Sequence, residues 1–419
     1  MAISHKRRAV LATAVAAVGS ALVGTVRPAG AQNPAPVTLV VANSQWLDAL
    51  RGKNLWVALL KYQRVAPHVT LKQEAIPSAA FDNKITTEFG GNQAPDIAIM
   101  QEGLFYAIAS AGMLADLSDV AQGVKLNETN ASGVVKGKRY GLGWQRAVYA
   151  LIYNEQLVTA AKTTVPATVS GLIASSRAVM SATPGSIGFT ARHQMSDFSG
   201  WFMDFQKWAY GNGASWVDSK GKLTIVTPQA VAAATQFQQM YNAKILPFGD
   251  DMPTQRQRFR EAHVGFSIDN SGGALNIASG GALQAKDFGA SALPFPHPGA
   301  HQQLFVTVNA RSAQKQAALD FVKWLMGPSG QQALREASGP DTLATDVPMS
   351  AEYLAANPWT AVFPTLAKTS RSTLIPGHET DTPQIMRSVM KAVEQCIVAQ
   401  ADPKTALEAA QREVDDAFS

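Results

Sequence analysis

Residues 37–42 read VTLVVA, residues 69–75 read VTLKQEA, and residues 95–100 read PDIAIM. Each run is short and carries β-branched side chains, which is typical of a strand. Helical patterns occupy residues 47–66 and 81–89 between these runs, and the second pattern stops at a pair of glycines. The order strand, helix, strand, helix, strand predicts an α/β fold with a mostly parallel sheet and helices on both faces.

The composition is that of a globular protein with more than one domain. The chain has 419 residues, of which 46% are hydrophobic and 16% are charged, and a domain usually takes about 100–200 residues. Two or three domains with sizeable cores are therefore expected, and the low share of charged residues argues against a disordered or coiled-coil chain. The single Cys excludes an intramolecular disulfide and any zinc site that needs two cysteines of this chain.

The positive charge of the chain is concentrated at its N-terminus. The formal net charge is +5, but residues 1–31 contain Lys6, Arg7, Arg8 and Arg27 and no acidic residue. The remainder has 32 basic and 31 acidic residues and carries a net charge of +1. Nothing in this balance indicates binding to nucleic acid or to an anionic membrane surface.

Residues 1–31 have the three parts of a secretory signal peptide. A basic segment at 6–8 precedes an apolar segment at 9–26, and small residues occupy positions 29–31. We expect cleavage before Gln32 rather than a membrane anchor, because the apolar segment is rich in Ala and Gly and ends at a small-residue motif. The paired arginines leave both the Sec and the Tat export routes open. The mature protein is expected in the periplasm.

Strand and helix patterns continue to the C-terminus without an internal repeat or a long linker. The predicted strands lie at residues 147–153, 264–268 and 305–308. The predicted helices lie at residues 104–111, 201–210, 227–242, 313–326, 383–399 and 404–418. Two α/β lobes without a linker imply several chain crossings between them.

Four motifs, in their order and spacing, resemble those of a known family. They are FDNK at 81–84 with GGNQAPDI at 90–97, ASAGMLADL at 109–117, KRYGL at 138–142 with ALIYNE at 150–155, and AALDFVKWL at 317–325. This pattern resembles the extracellular solute-binding proteins of bacterial ABC importers, family 1, the maltose-binding-protein-like group. The resemblance covers almost the whole chain after residue 31.

The sequence departs from the family pattern in two places. Gly143 and Trp144 stand where the family usually has a proline after the leucine, and PGAHQQ at 298–303 replaces a glycine-rich loop. Both places border the ligand in relatives, so the ligand here can differ from the common sugars.

The resemblance implies a type II periplasmic-binding-protein-like fold, with two α/β lobes around a ligand cleft and multiple chain crossings. Residues 1–31 would be the signal peptide, 32–146 the first part of lobe 1, and 147–292 the first part of lobe 2. Residues 293–345 would return to lobe 1, and residues 346–419 would complete lobe 2 with the C-terminal helices. The lobes would close on the ligand by a hinge motion.

Polar and aromatic side chains follow three of the predicted strands directly. Ligands bind beyond the carboxyl ends of strands in open α/β sheets, so these side chains are candidate ligand contacts. They are Gln45, Trp46, Gln101, Glu102, Asp269 and Asn270. The alternatives are helix packing for the tryptophan and simple solvation for the polar groups.

A second set of candidates lies near the expected crossing and cleft: Trp144, Gln145, Arg146, Trp201, His301 and His378. The tryptophans would stack on the apolar faces of a sugar, and the amide and guanidinium groups would hydrogen-bond its hydroxyls. Trp201 is included because its segment resembles the family's aromatic contact in lobe 2. For Arg146 a salt bridge between the lobes is the alternative.

Sequence signatures of enzymes are absent from the chain. It has no Gly-x-Ser-x-Gly elbow, no His-Glu-x-x-His motif and no P-loop. We therefore predict no catalytic residue, no metal site and no cofactor.

The resemblance implies a periplasmic receptor, expected to be a monomer, which traps a carbohydrate and delivers it to ABC transporter permease subunits. Two alternatives stay open. A phosphorylated polyol, such as a glycerol phosphate ester, would be held by Arg146, Arg192 or Arg371. An extracellular carbohydrate-active enzyme would use a pair of carboxylates that need not be close in sequence.

Overall fold

The computed structural model describes residues 34–418, so the predicted signal peptide lies outside the described residues. The strands are β1 Val37–Asn43, β2 Val69–Ala75, β3 Ile97–Gln101, β4 Val134–Val135, β5 Lys138–Arg139, β6 Leu142–Asn154, β7 Ile187–Thr190, β8 Val264–Asn270, β9 Phe288–Ser291, β10 Ala300–Val308 and β11 Arg371–Ser372. The α-helices are α1 Ala49–Leu60, α2 Ser78–Gly90, α3 Glu102–Ser110, α4 Glu155–Ala160, α5 Val169–Ala182, α6 Phe198–Gly211, α7 Pro228–Asn242, α8 Met252–Arg260, α9 Ser271–Ala278, α10 Lys315–Met326, α11 Pro328–Ser338, α12 Ala351–Ala356, α13 Phe363–Ala367, α14 Thr382–Val398 and α15 Pro403–Phe418.

The main sheet has the strand order β2-β1-β3-β10-β6-β8-β7. Strand β1 is parallel to both β2 and β3, as the sequence predicts, and β7, which the sequence analysis did not predict, is parallel to β8. Strand β10 is antiparallel to β3 and β6, and β6 is antiparallel to β8. The prediction of a mostly parallel sheet is therefore wrong at the centre, where β6 and β10 run antiparallel to their neighbours.

Strands β6 and β10 carry the chain between two lobes. We name lobe 1 the part built on β1, β2 and β3, and lobe 2 the part built on β7, β8 and β9. The first half of β6 pairs with β10, and its second half, from Tyr149 onward, pairs with β8 and β9. One strand thus belongs to both lobes, while the exact segment boundaries stay predictions.

Each lobe has its own hydrophobic core. In lobe 1, Leu39 of β1, Leu55 of α1 and Phe321 of α10 belong to one buried cluster. In lobe 2, Phe205 of α6 packs edge-to-face on Phe237 of α7 at 5.6 Å between ring centroids. The helix predicted at 383–399 buries four residues at four-residue spacing in this second core, namely Ile385, Val389, Val393 and Ile397. Within residues 34–418 no helix is both long and apolar enough to cross a membrane.

Helix α9 could not be recognised from the sequence pattern. Its first turn, Ser271-Gly272-Gly273, has the composition of a loop, yet Asn270 caps it by accepting a hydrogen bond from the Gly273 amide at 2.8 Å. A Cβ on Gly273 would lie 2.3 Å from side-chain atoms of both Arg256 and Asp269. The glycines therefore allow the helix to approach a buried ion pair, which places its N-terminus beside the cleft.

Candidate functional site

A cavity of about 410 Å³ lies between the lobes, at the carboxyl ends of β1, β3 and β8. This volume is within the range of roughly 300–1,000 Å³ for small-molecule sites. Its polar lining consists of Ser44, Gln45, Asp48, Arg51, Ser78, Gln101, Gln145, Gln194, Ser196, Asp251, Arg256, Asn270 and Gln302. Leu47, Pro77, Ala79, Met252, Pro253 and Leu304 add apolar surface.

Four of the twelve candidate residues line this cavity. Gln45 follows β1, Gln101 ends β3 and Asn270 ends β8, so the strand-end argument brings three of them together. Gln145 lies on β6, where the chain crosses between the lobes. Their role as ligand contacts stays a prediction.

Internal hydrogen bonds orient three amides of the cavity wall. The Oε1 atom of Gln45 accepts from Trp144 Nε1 at 2.8 Å, and that of Gln145 accepts from Arg51 Nη2 at 2.8 Å. The Oε1 atom of Gln302 accepts a hydrogen bond of 3.0 Å from the side-chain amide of Asn270, the last residue of β8. Because the oxygens are used within the protein, the amide NH2 groups are the part left to donate to the oxygen atoms of a ligand.

Two arginines of the cavity wall were missed by the sequence analysis. Arg256 donates to both carboxylate oxygens of Asp269, at 2.7 and 2.9 Å, and Arg51 donates to Asp341 at 2.9 Å. Burial raises the pKa of Asp269, but Arg256, Arg192 and Lys207 together outweigh this effect and the net pKa is lowered. The only local signal was the spacing of Asp48 and Arg51, which form an i,i+3 ion pair.

The predicted tryptophan pair of lobe 1 does not line the cavity. Trp144 is 1% exposed and Trp46 is 8% exposed, and their rings meet edge-to-face at 6.2 Å. Trp46 Nε1 donates to the carbonyl of Val41, while Trp144 donates to Gln45 as described above. Trp144 therefore supports a cavity residue from behind, because lobe 1 offers it a core that the short sequence context does not reveal.

The candidates Trp201 and Asp269 also lie behind the cavity rather than in its wall. Trp201 is fully buried in the core of lobe 2 and stacks on His193, with ring centroids 4.7 Å apart. Asp269 is buried as the partner of Arg256. Both residues lie close to the cleft along the chain, but their side chains point to the interior of the lobe.

Three further candidates are engaged with protein groups outside the cavity wall. Arg146 donates to Glu128 at 2.6 Å and to Gln303 at 3.0 Å, which matches the salt-bridge alternative in kind. His301 Nδ1 lies 2.9 Å from Ser370 Oγ, and burial, with Arg146 nearby, lowers the pKa of His301 to about 3. His378 Nε2 lies 3.3 Å from the carbonyl of Gly221.

Glu102 lines a smaller cavity of about 70 Å³, which shares Gln101 and Gln302 with the main one. Its carboxylate accepts hydrogen bonds from Ser372 at 2.5 Å and from Ser132 at 3.3 Å. Burial raises the pKa of Glu102 to about 7, although these serines and Arg146 act in the opposite direction.

This raised pKa makes a prediction about stability and pH. Between its usual 4.5 and about 7, the folded form binds the Glu102 proton more tightly than the unfolded chain, so stability falls as pH rises through this window. The Glu102→Gln variant cannot lose this proton. As pH rises from 4.5 to 7.5, the free energy of unfolding of the variant should therefore increase by about 3 kcal/mol relative to that of the wild type. Urea denaturation at several pH values measures the gain, and parallel curves would contradict the assignment.

Comparison with known proteins agrees with the architecture. Residues 48–332 match the family model described as bacterial extracellular solute-binding protein. No curated protein matches the chain. The GacH receptor of Streptomyces glaucescens GLA.O, solved unliganded and with acarbose, superposes with a TM-score of 0.80 at 19% identity, covering 91% of this chain and 98% of that one.

Two further solved structures have the same fold. Maltose-bound MalE3 of T. maritima has a TM-score of 0.79 at 16% identity, covering 91% of this chain and 100% of that one. UgpB of Mycobacterium tuberculosis, in complex with glycerophosphocholine, has a TM-score of 0.74 at 17% identity, covering 91% and 98%. At such identities the likeness shows the fold alone, and it confirms the predicted type II architecture.

Proposed function

The chain belongs to the bacterial extracellular solute-binding protein family, and we propose that it captures a neutral carbohydrate between its lobes and delivers it to the permease of an ABC importer. The wall of the 410 Å³ cavity carries this proposal. Its amide donors, together with the carboxylates of Asp48 and Asp251, complement hydroxyl groups, which both donate and accept hydrogen bonds.

Charge in the cavity wall supports a neutral ligand over a phosphate ester. The three arginines considered for phosphate have partners within the protein. Arg146 forms an ion pair with Glu128, and Arg192 forms one with Asp204. Arg371 lies over the ring of Tyr210, 3.9 Å from its centroid. The arginines that do line the cavity, Arg51 and Arg256, are each bonded to a buried carboxylate. A phosphate would therefore meet guanidinium groups whose charge is already compensated.

The proposal extends to the setting of the protein. The predicted signal peptide supports a periplasmic location, and closure of the lobes would present the receptor to the permease while ATP hydrolysis by other subunits drives release. We propose a monomer that performs no chemistry on its ligand.

A thermal-shift screen of the mature protein, from Gln32, tests the ligand class. We expect neutral monosaccharides, oligosaccharides and polyols, among them maltose and ribitol, to contain a stabilising ligand, and glycerophosphocholine to have no effect. Stabilisation by the phosphate ester alone would contradict the proposal. Mass spectrometry of the recovered ligand separates a receptor, which returns it unchanged, from a carbohydrate-active enzyme.

Gln101→Leu tests the site itself. Gln101 is half-buried in the cavity wall, and its side chain has no hydrogen-bond partner within residues 34–418. Removing its amide should therefore cost only ligand contacts and raise Kd about 10- to 100-fold, with stability of the ligand-free protein unchanged. Calorimetric titration with the screened sugar measures Kd. Gln316→Leu, on the exposed face of α10, is the matched control, and equal Kd values for both variants would contradict the site.

A further inference from the structure

Arg51 lies at the floor of the cavity and is almost completely buried, at 3% exposure. Its Nη1 atom donates to Asp48, three residues earlier on the chain, at 2.9 Å. Its Nη2 atom donates to Gln145 on β6 at 2.8 Å and to Asp341, which follows α11, at 2.9 Å. The guanidinium group therefore orients two residues of the cavity wall from behind.

Asp341 is held firmly within lobe 1. Arg335 of α11 donates to its backbone carbonyl at 2.8 Å, and its neighbour Thr342 exchanges backbone hydrogen bonds with Arg146 of β6. The next residues, Leu343 and Ala344, belong to the core of lobe 1. Asp341 thus moves with lobe 1 rather than with the helices of lobe 2.

Lobe 2 meets this group through the first turn of α9. The Ser271 hydroxyl donates to the second carboxylate oxygen of Asp341, and both side chains are buried. Gly272 approaches so closely that a Cβ there would lie 2.8 Å from Arg51 Nη2 and 3.2 Å from Asp341. Helix α9 itself packs on β6 and contributes to a core cluster of lobe 2.

We propose that Arg51, Asp341 and Ser271 form a latch between the lobes, which holds the ligand-free protein in the closed arrangement and keeps Gln145 and Asp48 aimed at the cavity. Opening the lobes separates Ser271 from Asp341, while the ion pair stays intact inside lobe 1. The contact that breaks on opening is thus the charge-assisted hydrogen bond from Ser271 to Asp341, together with the packing of Gly272 against Arg51. It is strong enough to favour the closed arrangement and weak enough for the lobes to open reversibly. Its use in ligand capture rests on the proposed function.

The latch makes a specific statement about affinity. The apparent Kd equals the intrinsic Kd divided by the fraction of molecules that are competent to bind. A variant without the latch should therefore bind every ligand more weakly by one common factor, about three- to tenfold, and keep the ranking of ligands. A residue that touches the ligand, such as Gln101, changes the ranking instead.

Small-angle X-ray scattering of the mature protein without ligand is the primary test, because it does not depend on carbohydrate binding. Ser271→Ala and Gly272→Ala, which breaks the same contact by steric intrusion, should both increase the radius of gyration. Ser279→Ala, at the other end of α9, where the hydroxyl donates to the carbonyl of Leu275, should not. If the wild type and Ser271→Ala have the same radius of gyration, the latch proposal is wrong.

Titration with maltose and ribitol is the secondary test. If Ser271→Ala changes the Kd values for two bound sugars by different factors, Ser271 acts on the ligand and the latch is overturned. If neither sugar nor any other neutral carbohydrate binds to the wild type, the proposed function fails, while the scattering result still decides the latch.

Discussion

Asp269→Ala should lower the free energy of unfolding by about 3–5 kcal/mol. Asp269 is 3% exposed and accepts two hydrogen bonds from Arg256, which is itself 7% exposed. Removing the carboxylate leaves the guanidinium charge of Arg256, which is nearly buried at the cavity wall, without its ion-pair partner. Lys207 and Arg192, whose charges also act on Asp269, increase this cost because they too lose a favourable interaction with its carboxylate.

Urea denaturation of the ligand-free protein measures the effect, and two variants make it specific. Glu336→Gln breaks the exposed pair with Lys61 and should change stability by about 0–1 kcal/mol. The double variant Asp269→Ala with Arg256→Met removes both charges and should be more stable than Asp269→Ala alone. If the free energy of unfolding of Asp269→Ala is within about 1 kcal/mol of that of the wild type, Asp269 is not a buried ion-pair partner.

Local patterns predicted most of the first three strands and the helices between them. The β-branched run at 69–75 coincides with β2, and the helix at 81–89 lies within α2. The helix predicted at 47–66 is shorter in the structure, because Asp48 is extended and the turn Lys61–Arg64 tightens into a 3-10 helix. The pairing of β6 with β10 could not be predicted, since the residues that pair lie more than 150 positions apart.

The candidate site was predicted where it depends on strand ends and missed where it depends on distant partners. Gln45, Gln101 and Asn270 follow from the rule that polar residues at carboxyl ends of strands meet in the cleft. Arg51 is different, because Asp341, the carboxylate that holds it, is 290 residues away. Whether a tryptophan is exposed also depends on which face of its helix packs against the rest of the lobe. The spacing of residues in the sequence does not show which face that is.

Helix α6 shows this difficulty and gives the second large expected effect. Trp201→Ala should lower the free energy of unfolding by about 3–5 kcal/mol, because the indole is 0% exposed and fills the core of lobe 2 beside His193. Its Nε1 has no hydrogen-bond partner in the described part of the chain. Trp201→Phe loses volume but no hydrogen bond, so its cost should be clearly smaller. Thermal and urea unfolding measure both costs.

Phe198, less than one turn earlier on α6, provides the matched comparison. It is half-buried and, with Leu104 of lobe 1, lines a cavity of about 380 Å³ that shares Ser78, Ala79 and Ser196 with the main one. Phe198→Ala should therefore spare most of the stability and weaken binding of oligosaccharides about tenfold, a loss of about 1.4 kcal/mol. In Trp201→Ala the Kd of the folded protein should stay within twofold of the wild type. A reversed pattern, with Kd raised by Trp201→Ala and not by Phe198→Ala, would return Trp201 to the ligand site.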